Sequence, residues 1–251
     1  NGQMSLWLAV PLYIFLTYAA YTVMHDAAHG SINGSHTSLR WLNDLLGYMA
    51  GFILMIPLTA HRHEHLAHHR NTNDADGDPD FVVRDMTKSP FHAARAAVRI
   101  VTGQYSYYLA HRWAKDPISQ RARFLLELTL ALAVRIGFMA QGYWLVGAVL
   151  FMAGGVGGIA LLMYLFAYIV HTPHESVGRY VDTSTFEFPE PFNTPITWLW
   201  GFQNYHSIHH LFPRVPFYHY RKLFNDIRSV MIAKGAPIYG PSSQTTGLQY
   251  P

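Results

Sequence analysis

Residues 65–69 read His65-Leu66-Ala67-His68-His69, and residues 206–210 read His206-Ser207-Ile208-His209-His210. Spacings of three and four residues on a helix put side chains on one face, one turn apart. A third cluster, His25-Asp26-Ala27-Ala28-His29, repeats the pattern at i, i+4. At this chain's histidine frequency, one such pentad would arise by chance in roughly one chain in twenty. Two in one chain therefore point to a shared task. Histidines so placed on neighbouring helices can face inward on shared metal ions.

The composition supports a metal reading. The chain carries 16 histidines against 15 acidic residues, and it has no cysteine. That excludes disulfides, thiolate sites, iron–sulfur clusters and a cysteine nucleophile. Neutral imidazole remains, a good ligand for zinc, copper, iron or nickel. There is no phosphate-binding glycine motif, and nothing points to a nucleic-acid partner.

Only 13% of the residues are charged, well below the roughly 25% usual in soluble domains. Apolar residues concentrate in Ser5–Met24, Trp41–Ala60, Phe124–Ala140 and Tyr143–Val170. A span needs about 20 residues to cross a hydrocarbon core of about 30 Å. Ser5–Met24 qualifies, and no small-residue cleavage site follows it as in a signal peptide. The last two stretches read as a hairpin with Gln141 and Gly142 at its tip, and Arg135 is expected to snorkel to the nearby interface. Gly154, Gly155, Gly157 and Gly158 are expected to allow close helix packing.

All Lys and Arg residues except Arg135 lie outside these stretches, and all of those but Arg40 crowd into 62–123 and 179–234, the regions that also hold two of the histidine clusters. The positive-inside rule puts both regions in the cytoplasm. Two simple successive spans would then separate His25 from His65 by the thickness of the membrane. The sequence escapes this if Trp41–Ala60 is broken or re-entrant, as Gly47, Gly51 and Pro57 permit. The expected fold is therefore all-α and membrane-embedded. It has about four embedded helices, one of them broken, and a cytoplasmic helical cap around a two-metal site. Residues 1–240 read as one domain and 241–251 as a peripheral tail.

The three clusters supply His25, His29, His65, His68, His69, His206, His209 and His210. His171, directly after the fourth stretch, is added as a further ligand. Nine imidazoles exceed one ion's needs and imply two ions with about five ligands each; zinc stays open at this point. Asp26 and Glu64 are candidates to receive imidazole N–H groups, with a solvated carboxylate as the alternative. His174, Asn204 and Asp80 are placed beside the ligands as supporting residues. His36, His61, His63, His92, His111 and His219 read as structural or as supports for the ligands. The run from Asn71 to Pro90 reads as a solvated turn, because Pro79 stands where a calcium loop needs glycine.

With these boxes in place, the chain resembles the membrane fatty-acid desaturase and hydroxylase superfamily from about Tyr21 to Tyr220. Thr72-Asn73-Asp74, leading into Asp78-Pro79-Asp80, is also similar to that family. The resemblance implies two iron ions on the cytoplasmic side, O2 as co-substrate and a lipid entering from the bilayer. Within the superfamily, Gln203-Asn204-Tyr205-His206, with Leu211-Phe212-Pro213 and Pro216-Phe217-Tyr218, resembles cyanobacterial-type β-carotene hydroxylases. So does His171-Thr172-Pro173, although an arginine is expected before that proline. The leading expectation is thus hydroxylation of a carotenoid ring, and the alternative is desaturation of a fatty-acyl chain.

No flavin, haem or nicotinamide fold is present, so electrons are expected from a separate donor such as ferredoxin. Arg62, Arg70, Arg95, Arg99, Arg112 and Lys115 would suit an acidic partner or anionic membrane lipids. Tyr105, Tyr107, Tyr108 and Trp113 either line a substrate groove or anchor at the interface. A metal transporter is disfavoured because the apolar stretches carry almost no polar residues.

Overall fold

The structure, a computed structural model, describes residues 4–240; the expected tail at 241–251 lies outside them. Helix α1 (Leu6–His29) opens on Ser5, whose hydroxyl accepts the Trp7 N–H. It ends at Gly30, whose left-handed backbone (φ 68°) lets its N–H turn back to Ala27 O. The helix runs beyond the apolar stretch to His29, so the first histidine cluster occupies its last two turns.

The second apolar stretch is broken. Helix α2 (Arg40–Leu54) stops at Met55, which has φ 61°, and α3 (Leu58–Asn71) starts after Pro57. The two axes meet at 95°. Gly51 permits the turn: a Cβ there would lie 2.6 Å from Ile56 O. Gly47 lets the pair sit against α1, since its Cβ would fall 2.6 Å from that of Ala27. The turn carries α3 and its histidines beneath the end of α1. Arg135 serves this break. Its guanidinium donates to Phe52 O at 3.0 Å and Ile53 O at 2.8 Å, satisfying carbonyls that the break leaves free. In place of the expected snorkelling, the side chain turns to these backbone carbonyls, with the Phe52 and Phe151 ring centres each 5.4 Å away.

Helix α4 (Pro90–His111) starts on the Ser89 cap and packs along α3. Then comes the long apolar run Ile118–His171. It comprises α5 (Ile118–Phe138), a π-turn, α6 (Trp144–Val149), α7 (Gly155–Leu162) and a final stretch of π and 3-10 turns ending at His171. The run reverses at Gly142, which has φ 94°. On a straight helix, residues 135 and 151 would be about 24 Å apart, yet the Arg135 guanidinium is 5.4 Å from the Phe151 ring. The expected hairpin is present.

The glycines of the returning arm divide. Cβ atoms at Gly157 and Gly158 would meet Ile14 at 2.5 Å and Thr17 at 2.7 Å, and one at Gly154 would enter the space of the Tyr13 ring. These three let α7 lie close on α1. Gly155 has nothing within 4 Å of its Cβ position and faces a cavity, which corrects its assignment to helix packing.

Helices α1 and the Ile118–His171 run are long and apolar enough to cross a membrane, and the bent α2–α3 pair qualifies if taken as one span. The remaining chain forms α8 (Asn193–Leu199), α9 (His206–Leu211) and α10 (Tyr220–Ala233). It also departs from the all-α expectation. A two-residue parallel ladder pairs β1 (Thr185–Phe186) with β2 (Ile238–Tyr239). Tyr205, Ile208, Phe224 and Met231 are fully buried between α9 and α10, which fixes the third histidine cluster against α1 and α3.

Candidate metal centre

Nine histidines converge from four segments: the end of α1, the end of α3, the end of the hairpin and α9. The ligand atoms of His25, His29, His65, His69 and His209 lie within 4.8 Å of one another, as do those of His68, His171 and His210. His206 adjoins the second group, its Nε2 3.2 Å from that of His210. The sequence therefore brings together every histidine proposed as a ligand, divided five and four.

The outer nitrogens explain how the rings are held. The His171 Nδ1–H donates to Ala167 O at 2.8 Å. The His206 Nδ1–H donates to Gln203 Oε1 at 2.8 Å, and that amide's orientation is set because its NH2 donates to Gly201 O. Thr72 Oγ1 spends its proton on His68 O and so accepts from His210 Nδ1–H at 3.3 Å. His68 Nδ1–H donates to Asp78 Oδ1 at 2.8 Å. His209 Nδ1–H donates to Tyr220 Oη at 2.7 Å, and that hydroxyl donates in turn to Asp26. With each Nδ1 carrying the proton, the Nε2 lone pairs point inward.

Those inward atoms crowd together. His206 and His210 oppose bare Nε2 atoms at 3.2 Å, and His171 and His210 at 3.4 Å. His68 faces His171 at 3.0 Å, and His209 faces His69 at 2.9 Å. Two lone pairs cannot hydrogen-bond each other; a cation among them removes the conflict. Both nitrogens of His25 and Nε2 of His29 are buried with no hydrogen-bond partner. Burial, and then the neighbouring imidazoles, hold His206, His209 and His210 well below the ordinary histidine pKa, so they stay neutral. Burial lowers the His68 pKa, but the Asp78 carboxylate outweighs this and raises it to about 9, so His68 gives up a proton when a cation binds. A donor set built of imidazole nitrogens fits divalent transition metals.

The supporting residues are less well placed by sequence. Asp26 reaches the centre through Tyr220 rather than its neighbour His25, whose Nδ1 is 3.8 Å away. Glu64 hydrogen-bonds Asp80 and Gln104, and so touches no ligand imidazole by this route. The Asp80 carboxylate stands 3.9 Å from His68, and its N–H donates to Asp78. Asn204 turns away from the histidines and donates to Phe186 O and Thr197 Oγ1. His174 packs on the Tyr168 ring instead. The partners missed were Asp78, Gln203, Thr72 and Tyr220. Asp78 had a signal in the Asp-Pro-Asp run, which was read as a solvated turn; burial raises its pKa, but His68 and backbone N–H groups outweigh this and hold it down. His61, read as structural or as a support, is fully buried and stacked on His65 at 5.2 Å.

Apolar cavities lie beside the centre. A cavity of about 230 Å³ lies among Tyr13, Tyr105, Arg135, Phe151 and Gly155. It shares Ile56, Val101, Ile159 and Leu162 with a smaller cavity of about 60 Å³ walled by Tyr21, Gln104 and Phe166. The Phe166 ring is 4.8 Å from His25 and 5.6 Å from His206. Of the four aromatics expected at a groove or interface, Tyr105 lines this cavity, whereas Tyr108 is buried against Phe124.

Helices apolar enough to cross a membrane, carrying converging imidazoles at their ends, define a histidine-rich chain with a candidate metal site. The chain belongs to the fatty acid desaturase family, whose model matches residues 5–241. It is 24% identical to a Delta(12) fatty acid dehydrogenase of Crepis alpina, over 90% of this chain and 69% of that protein. It is 26% identical to a fatty acid desaturase of Bacillus subtilis, over 86% of this chain and 66% of that protein. It is 24% identical to an sn-1 acyl-lipid omega-3 desaturase (ferredoxin) of Nostoc, over 84% of this chain and 53% of that protein. The chain thus spans between about half and about two thirds of these relatives' length. Their names specify fatty-acyl chains, so the carotenoid expectation gains no support from them and the acyl alternative is favoured.

Proposed function

We propose that this chain is an O2-dependent acyl-lipid desaturase with two iron ions. His25, His29, His65, His69 and His209 would hold one, and His68, His171, His206 and His210 the other. The supporting observation is the convergence of nine imidazoles from four segments, with the Nδ1 atoms of His68, His171, His206, His209 and His210 held by outer hydrogen bonds. Bound iron would supply the redox chemistry that turns O2 against an unactivated C–H bond. The balance is CH2–CH2 plus O2, two electrons and two protons, giving CH=CH and two waters. Zinc cannot change oxidation state in this way.

The protein's own contribution is positioning. Asp78, Gln203, Thr72, Tyr220 and Ala167 O hold the imidazoles in their metal-facing tautomer. The apolar cavities beside Phe166 and Tyr21 receive the acyl chain from the bilayer and exclude water, and a misplacement of about 1 Å can cost on the order of a hundredfold in rate. The crowding of Lys and Arg near the histidines supports a cytoplasmic site. The two electrons come from an external donor, and the ferredoxin named for the Nostoc relative is the kind we infer. Expression in a host with defined lipids, followed by chromatography of fatty-acid methyl esters, tests the reading. A new double bond is expected; unchanged fatty acids together with a new polar pigment in a β-carotene-making host would overturn it in favour of ring hydroxylation.

A further inference from the structure

The apolar cavities approach the centre from one side, as far as Tyr21 and Phe166. A separate pocket of about 340 Å³ reaches it from another, and its lining differs in kind. His29 lies at its base, and its walls include Gly30, Asn33, Arg40, Arg62 and Arg214, with no large apolar side chain. It continues past Arg214 into a groove of about 630 Å³ along α10 that includes His36, His219 and Lys222. The carboxylates in this region are taken. Asp44 pairs with Arg62 at 2.6 Å, and Asp226 with Lys222 at 2.7 Å. Arg40 and Arg214 are exposed, and among the described residues neither has a carboxylate partner.

We propose that the pocket bounded by Arg40, Arg62 and Arg214 is the docking mouth for an acidic one-electron carrier protein, which delivers electrons through His29. The inference rests on the desaturase reading, which requires two single-electron deliveries per turnover from an electron donor. Three features select this pocket. Its base is a proposed iron ligand that is only partly buried, so a docked carrier has a short covalent route to the metal. Its net surplus is two guanidinium groups, which attract acidic surfaces and present fixed two-pronged donors to carboxylates. It carries no large apolar side chain, unlike the cavities beside Phe166, and its two spare guanidinium groups suit a surface rich in carboxylates, while Ile32, Leu39, Val215 and Leu223 in the groove beyond add apolar contact area of the kind a docked protein covers. The basic residues first considered for this role, Arg70, Arg95, Arg99 and Lys115, line neither this pocket nor the groove beyond it.

The test uses the iron-loaded protein in nanodiscs with a plant-type [2Fe–2S] ferredoxin, and separately with a small neutral redox mediator. Steady-state desaturation is measured against ferredoxin concentration and against salt. For Arg40→Glu/Arg214→Glu, normalised to the same variant's mediator-driven rate, the ferredoxin KM should rise at least about tenfold with little change in limiting rate. Its salt dependence should also flatten. Should that variant lose iron, Arg40→Gln and Arg214→Gln singly should each raise KM by a smaller factor. In the unaltered enzyme, rising salt should raise the ferredoxin KM steeply and leave the mediator rate unmoved. An unchanged KM overturns the docking site, and if the variant instead loses activity only in anionic-lipid discs, the pocket is a headgroup site. Absence of any desaturated product from the unaltered enzyme with either reductant would sink the desaturase reading itself.

Discussion

Replacing Gly155 with leucine should shorten the acyl chain that the enzyme accepts. Gly155 lines the 230 Å³ cavity, and a Cβ there meets nothing within 4 Å. The new side chain therefore enters open space without pushing on backbone, and glycine-to-leucine in a helix is intrinsically favourable by a few tenths to about 1 kcal/mol. Four added carbons displace about four substrate methylenes. At about 0.8 kcal/mol each, that removes about 3 kcal/mol of burial, or roughly 200-fold in kcat/KM for chains that fill the cavity. Chains about four carbons shorter should be processed at the original rate. Tyr13, Thr17, Tyr21 and His25 follow one face of α1, placing the cavity's far end about 18 Å from the histidines along the helix. The assay is competition among saturated acyl lipids of stepped length in nanodiscs, with products resolved by gas chromatography. A loss uniform across all lengths, in a protein that still loads iron, would refute the acyl path.

Neighbouring positions should behave differently. Gly154→Leu places carbon into the Tyr13 ring and should cost about 1–3 kcal/mol of stability, seen as a lower unfolding temperature in detergent, without length selectivity. Tyr220→Phe breaks the link from His209 to Asp26 and should weaken iron retention against a chelator about 10–100-fold while the fold persists. Arg135→Ala leaves Phe52 O and Ile53 O unsatisfied in apolar surroundings, at about 1–3 kcal/mol each, so the α2–α3 break should gain hydrogen-exchange lability before the hairpin does. Asn204→Ala, by contrast, should leave iron affinity unchanged and lower only thermal stability, because its amide ties Phe186 and Thr197.

The sequence was most legible where a local pattern carries the physics. Helical spacing placed His25 with His29 and His65 with His69 on single faces, and a glycine at 142 marked the hairpin's reversal. Reconciling the histidine clusters with membrane topology required a break in the second stretch, and Met55 to Pro57 provides it. What stayed illegible depends on partners distant in sequence. Tyr220 meets Asp26 across 194 residues, and no periodicity links them. Asn204 and Gln203 are adjacent polar residues, and only the local turn decides that Gln203 supports His206 while Asn204 ties β1 to α8. Gly154 and Gly155 are likewise identical in sequence terms, yet about 100° of helical rotation sends one toward α1 and the other into the cavity. The carotenoid expectation found no support for a related reason: it rested on histidine boxes that resemble those of several subfamilies, whereas the walls of the adjoining cavities come from α1, α4 and the hairpin, far apart in sequence.

The most direct measurement is iron K-edge X-ray absorption on the purified, catalytically active protein, combined with metal analysis. The account requires about two irons per chain, each surrounded by imidazole nitrogen, to match the two histidine groups. Active protein that holds zinc alone, or a single iron with mainly oxygen neighbours, would contradict it.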